Sequence, residues 1–173
     1  MSSLNKGLER IEVDLLWDPS PAGTAPHDLD LIAATYVTDG PDGAPAYLVH
    51  FDSRSPDGTI TLNRDSRDGR GLGIDERMTL ELDRLANRYR KVVVGVAIQQ
   101  GGGRVTFTDI AHPAVRIRER HDELAALDLA GVAGATAARV AEFVRDDSGA
   151  WRFRPGVRGF DADPATFSRI MGS

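Results

Sequence analysis

The chain has 173 residues, 41% of them hydrophobic and 27% charged, a composition that supports a sizeable buried core and is that of a globular rather than a disordered chain. A net charge of −5 and a pI near 5.3 argue against a dedicated nucleic-acid binder, which carries a basic excess. With no cysteine there is no disulfide framework, no thiolate zinc site and no cysteine nucleophile.

The first residues, "MSSLNKGLERIEVDLLWDP", lack the uninterrupted apolar core of a signal peptide. The longest apolar run, Val92 to Ile98, has the length of one buried strand and falls far short of a bilayer span. A soluble, cytoplasmic protein without a transmembrane segment is the expectation.

In "IEVDLLW", Ile11, Val13, Leu15 and Trp17 fall on one face of an extended chain, with Glu12, Asp14 and Leu16 on the other. That is a half-buried strand. "LDLIAATYVTD" and "PAYLVHF", separated by the turn "DGPDG", predict a hairpin. Met78, Leu80 and Leu82 alternate with Thr79 and Glu81. "KVVVGVAIQ" is β-branched and apolar on both faces, the pattern of a central strand.

Gly101 to Gly103 follow it, and "VTFTDI" and "AVRIRER" then resume the alternation. A phosphate cradle would need a helix after the glycines, and "RVTFTD" reads as strand, so a hairpin is expected there. "ELAALDLAGVAGATAARVAEFV" is ambiguous: alanine and leucine favour helix, while Gly131 and Gly134 interrupt it. "RVAEFV-DDSG-AWRFRP" reads as a hairpin with Trp151 and Phe153 on one face. "DPATFSRIMG" predicts a short helix, with Asp163 as N-cap and Pro164 in the first turn. Many short strands between turns, spaced by roughly 8–12 residues, predict an all-β fold. We expect a two-sheet β-sandwich with a short peripheral helix, forming one domain over residues 1–173.

"SPDGTITLNRDSRDGRGLGIDE", residues 55 to 76, carries the densest chemistry. Asp65, Asp68, Asp75 and Glu76 are hard oxygen donors within a glycine-rich loop, and carbonyls at Gly69 or Gly71 could add more. In "HDLDL", Asp28 and Asp30 share a face of an extended chain. Together the two stretches could supply the roughly six to eight oxygens that calcium takes. Counting from Asp65 puts Glu76 at position twelve, but Arg70 stands at the sixth position, where an EF-hand needs glycine; this is not an EF-hand. The competing reading is a set of solvated turns whose acids pair loosely with Arg64, Arg67 and Arg70. Catalytic patterns are absent: His27, His50, His112 and His121 are dispersed, and there is no GxSxG, GxxxxGK[ST] or HExxH. His50, in an apolar strand, reads as a core or edge histidine.

The order of "LNKG", "LLWD", "HDLDL", "SPDG", the glycine–aspartate loop ending in "DE", and "WRFRPGVRGF" resembles the TerD family of tellurium-resistance and bacterial stress proteins, from about Leu4 to Phe160. The resemblance implies a two-sheet β-sandwich that holds calcium in acidic loops at one end. Against the family pattern DxDLDxS, Asp28 and Asp30 match and Ile32 stands in the serine's place. Against SPDGxxxHxGDNxTGxGxGDDE, residues Ser55 to Gly58, Asp65, Gly69, Gly71, Gly73, Asp75 and Glu76 match, and Asp52 stands in for a preceding asparagine. Leu62 replaces the histidine, Arg64 a glycine and Ser66 the asparagine, while Leu72 and Ile74 occupy commonly acidic positions. The implied ligands are Asp28, Asp30, Asp52, Asp65, Ser66, Gly69, Gly71, Asp75 and Glu76, in a loop of reduced charge and weakened affinity. Arg67 or Arg70 folding over Asp28 and Asp30 is the alternative.

The resulting expectation is a non-enzymatic, calcium-binding adaptor or scaffold of the bacterial stress response or tellurite resistance, with protein partners. An interaction module that has lost tight calcium binding, and a metal-dependent hydrolase using the acidic cleft, are the alternatives. With no thiol to bind or reduce the oxyanion, any resistance role would be indirect.

Overall fold

The computed structural model describes residues 7–40, 43–64, 69, 73–101 and 103–173. Two antiparallel sheets face each other. The first has the order β4 (Ile60–Arg64), β5 (Glu76–Glu81), β1 (Arg10–Asp18), β7 (Ala111–Glu119), β8 (Asp122–Asp128). The second has the order β10 (Trp151–Arg154), β9 (Ala137–Arg145), β6 (Lys91–Ile98), β2 (Leu29–Tyr36), β3 (Tyr47–Val49). A short β11 (Arg158–Phe160) follows β10 along the same side of β9. Among the described residues, no helix is long and apolar enough to cross a membrane.

The alternation anticipated for β1 places Ile11, Val13, Leu15 and Trp17 in the core between the sheets, against Leu29, Leu31 and Ala33 of β2 and Val92, Val94 and Val96 of β6. On the outer face of β1, Asp14 is only 2% exposed. Its carboxylate accepts bonds from Arg77 Nε at 2.7 Å and Arg118 Nη2 at 3.0 Å, on the two neighbouring strands. β6 is central and buried along its whole length, as its two-faced apolar run predicts. β2 and β3 form the expected hairpin, in the register Ala33↔Val49.

The predicted terminal helix is α1 (Pro164–Ile170), and Asp163 caps it by accepting from Thr166 N at 2.7 Å. It lies on the outer face of the second sheet, where Phe167 and Met171 join Ile32, Ala34, Tyr36 and Val93 in a second apolar cluster. Gly95 makes this seat possible, because a Cβ there would stand 2.5 Å from Phe167 Cζ.

One expectation requires correction and one ambiguity is resolved. "VTFTDI" is not a strand and the glycines do not open a hairpin. Phe107–Asp109 is a 3-10 turn, held by Asp109 Oδ2 accepting from Thr106 N at 2.9 Å, through which the chain passes from β6 to β7 in the opposite sheet. In the ambiguous segment, "DELAALD" forms strand β8 rather than helix. Pairing along β7, from Ala114↔Asp128 to Glu119↔Asp122, outweighs the helix propensity of its alanines and leucines. The downstream hairpin is as expected, with Trp151↔Arg145 and Phe153↔Phe143 in register.

Candidate metal centre

At one end of the sandwich β1 and β6 finish while β2 and β5 begin, so the two acidic stretches meet there. Asp75 and Glu76 enter β5 at this point. Asp75 N–H donates to Leu15 O at 3.0 Å, and its carboxylate Oδ2 accepts from Trp17 N at 2.8 Å. The side chain thus extends the β1–β5 ladder by one bond, just where the glycine loop departs.

Glu76 points the other way, into the opposite sheet. Its Oε1 accepts from Leu31 N at 2.8 Å. β3 pairs with β2 only from Ala33 to Thr35, so the Leu31 N–H lies beyond the end of that strand and is satisfied by the glutamate instead. Both acids are almost wholly buried, Asp75 at 1% and Glu76 at 0% exposure. Their second oxygens, Oδ1 of Asp75 and Oε2 of Glu76, are buried as well.

Asp28 and Asp30 flank the first residue of β2. The Asp28 carbonyl accepts from Gln99 N at 2.8 Å, and Asp30 Oδ2 accepts from the Gln99 side-chain Nε2, so the residue just past β6 holds both positions. Trp17 connects this stretch to the glycine loop. Its backbone N–H holds Asp75, and its indole Nε1 donates to His27 O at 3.2 Å. Gly69 is buried against the same ring with φ +73°, and a Cβ there would sit 2.5 Å from Nε1. Only glycine combines that backbone conformation with that approach.

Asp52 is exposed on the turn that links His50 and Ser53, where its N–H donates to His50 Nδ1 at 3.2 Å. Asp65, Ser66 and Gly71 lie outside the described residues, as do Arg67, Arg70 and Leu72. Among the described residues, no group of three or more His, Asp or Glu is placed to hold a metal ion. Asp57, of the "SPDG" motif, serves its own turn: Oδ1 accepts from Thr59 N at 3.1 Å and from Thr59 Oγ1 at 2.7 Å.

The substituted positions have structural uses. Ile32, where the family pattern has serine, is buried in the cluster beneath α1. Leu62, in the histidine's place, packs on the main core. Ile74 is half-buried. Sequence reasoning missed two residues that organise the site, Trp17 and Gln99. Trp17 reads as a core residue from its alternation alone, and its second role depends on neighbours distant in sequence. Gln99 offered a weak signal as the first polar residue after an apolar strand.

His50 is half-buried, and burial pushes its pKa below the ordinary histidine value, partly opposed by the negative charges of Asp52 and Asp30. The chemistry of the donor set is uniform. Carboxylate oxygens oriented by backbone N–H groups, with no thiol anywhere in the chain, suit a hard divalent cation such as calcium.

Comparison with known proteins agrees with the fold. The TerD domain family model matches residues 1–168. The tellurium resistance protein TerD of Alcaligenes sp is 26% identical over 158 residues, covering 89% of this chain and 82% of its own length. The tellurium resistance protein TerX of Serratia marcescens is 32% identical over 146 residues, covering 74% and 68% respectively. A crystal structure of a telluride resistance protein (TerD) homologue from Streptomyces coelicolor A3(2) superposes with a TM-score of 0.93 at 54% identity, covering 96% of this chain and 99% of that one. Another, of a protein of unknown function, gives 0.94 at 58% identity, covering 97% and 99%.

Proposed function

This chain belongs to the TerD domain family, and on that premise we propose that it is a calcium-binding member acting without catalysis, as an adaptor or scaffold in bacterial stress response or tellurium resistance. The observation that carries the reading is the division of labour at Asp75 and Glu76. Adjacent in sequence, they accept from backbone N–H groups of opposite sheets, Trp17 in the first and Leu31 in the second. Asp28, Asp30, Asp75 and Glu76 are candidate donors that do not form a ligand group by themselves, so an ion there would also need oxygens from residues 65–71. A bound divalent cation there supplies charge neutralisation for carboxylates that folding has removed from water.

What the chain itself contributes is orientation. The two backbone N–H bonds fix the carboxylates before any ion arrives, which reduces the ordering cost of binding. Trp17 links His27 at the start of the "HDLDL" stretch, Gly69 and Asp75 through its backbone N–H and its ring. A calcium-dependent surface at this end of the sandwich would suit an adaptor. The chain offers no thiol of its own to bind or reduce tellurite, and on this reading its part in resistance is indirect.

A second reading is an interaction module whose calcium affinity has weakened. It is favoured by the apolar side chains at 32, 62 and 74, the first two of which serve the packed clusters. Thermal denaturation of chelator-stripped protein, with and without millimolar calcium, separates the two. A rise in Tm that Asp30→Asn and Glu76→Gln both remove supports the calcium reading. No rise defeats it in favour of the module. Turnover of phosphoesters on metal addition would contradict both and support a hydrolase.

A further inference from the structure

On the outer side of the second sheet, between the end of β3 and the first turn of α1, lies a cleft of about 380 Å³. That size is within the range that holds small organic ligands. Its apolar wall is formed by Ile32, Phe51, Pro164 and Ala165. Phe51 is 52% exposed at the rim, an unusual position for a phenylalanine with no role in the core. Asp30 and Asp163 are among the polar lining residues, and no lysine or arginine occurs among the described lining residues.

We propose that this cleft is a binding site for an organic ammonium ion with a compact apolar or aromatic body. The charge would be met by Asp163 and the body would sit against Ile32, Phe51 and Ala165. Asp163 suits the task geometrically. Its Oδ1 is engaged in capping Thr166 N, which fixes the side chain, while the residue as a whole is exposed at the cleft. Bonds from the Thr166 N–H and side chain also keep the carboxyl below its ordinary pKa, so it stays ionised in neutral solution. The recognition does not depend on Asp30, whose carboxylate is engaged with Gln99.

His50 lines the same cleft. Its Nδ1 accepts from Asp52 N, which leaves the Nε2 proton as a donor for a hydroxyl or carbonyl on the ligand. Exposed aromatic surface on the rim suits an aryl ring or the ammonium group itself. Arg169 acts on Asp163 from outside the lining, but no lysine or arginine is among the described lining residues, so an ammonium ion is favoured over an oxyanion or carboxylate at this site.

The cleft shares Asp30 with the proposed calcium site but does not need the ion, and it can be tested without it. Phenethylammonium, 2-phenylethanol and phenylacetate have nearly the same shape and differ in charge. Each is titrated into the full chain in chelator and again in calcium, following backbone amide shifts. Phenethylammonium should move the Ile32, Phe51, Ala165 and Ser168 amides at millimolar concentration, and bind at least about tenfold more tightly than phenylacetate. Asp163→Asn retains the helix cap, because asparagine caps as well as aspartate, and should reduce that preference to a few-fold. Ala165→Leu fills the mouth of the cleft and should weaken the amine and the alcohol alike. The proposal is overturned if phenylacetate binds as tightly as the amine, if these amides do not move, or if Ala165→Leu leaves binding unchanged. Loss of the calcium response with cleft binding intact would refute the calcium reading and leave this site standing.

Discussion

Replacing Gly69 by alanine tests the geometry of the acidic end without touching a carboxylate. At φ +73° an alanine costs about 1–2 kcal/mol, because its Cβ crowds the backbone in the left-handed region. That Cβ would also stand 2.5 Å from Trp17 Nε1 and 2.7 Å from Cδ1, against a comfortable separation of about 3.5–4.0 Å. The ring cannot simply yield, since Nε1 donates to His27 O and the backbone N–H holds Asp75. Overpacking of this kind costs about 1–3 kcal/mol, so the sum is about 3 kcal/mol. For a chain of this size that lowers Tm by about 6–12 °C. Gly73→Ala is the matched control: φ is +80°, but nothing lies within 4 Å of its Cβ. It should lose only the backbone part, about 3–6 °C. Thermal denaturation of both variants in chelator is the assay. Equal losses, or a smaller loss for Gly69→Ala, would refute the packing of Gly69 against Trp17.

Glu76→Ala removes the partner of the buried Leu31 N–H and should cost about 1–3 kcal/mol in urea denaturation whether or not calcium is present, whereas Glu76→Gln keeps an acceptor oxygen and should be far milder in chelator. Gly95→Ala drives a methyl against Phe167 and should cost about 1–3 kcal/mol, with loss of α1 protection in amide hydrogen exchange before the sheets open. His50 gives a pH dependence of definite sign. Its folded pKa lies below the unfolded value of about 6.5, so between the two the unfolded chain binds more protons and stability falls as pH is lowered. The effect is absent above the unfolded pKa and complete below the folded one. His50→Gln should flatten that part of the profile of urea midpoint against pH.

The sandwich was legible because its evidence is local. The face shared by Ile11, Val13, Leu15 and Trp17, the two-faced run of β6 and the Asp163–Pro164 start of α1 each occupy one short stretch. Failures came where a distant partner decides. "DELAALD" has a composition suited to helix and becomes a strand only because β7 presents an edge to it. "VTFTDI" alternates like a strand, yet it must carry the chain between sheets, and a 3-10 turn does so. In the candidate site, family order identified Asp75 and Glu76, but not that each would be aimed by a backbone N–H. The contributions of Trp17 and Gln99 depend on contacts between strands that periodicity cannot show. Asp52 illustrates the converse: a plausible motif position can fold onto an exposed turn.

The central claim is that this end of the sandwich holds calcium, and isothermal titration of chelator-stripped protein with calcium chloride tests it most directly. The account predicts saturable binding, with a Kd between about 10⁻⁶ and 10⁻³ M given the reduced loop charge, and its loss in both Asp75→Asn and Glu76→Gln, whose side chains still accept from Trp17 and Leu31. Absence of binding heat at several temperatures, with no change in Tm at millimolar calcium, would contradict it.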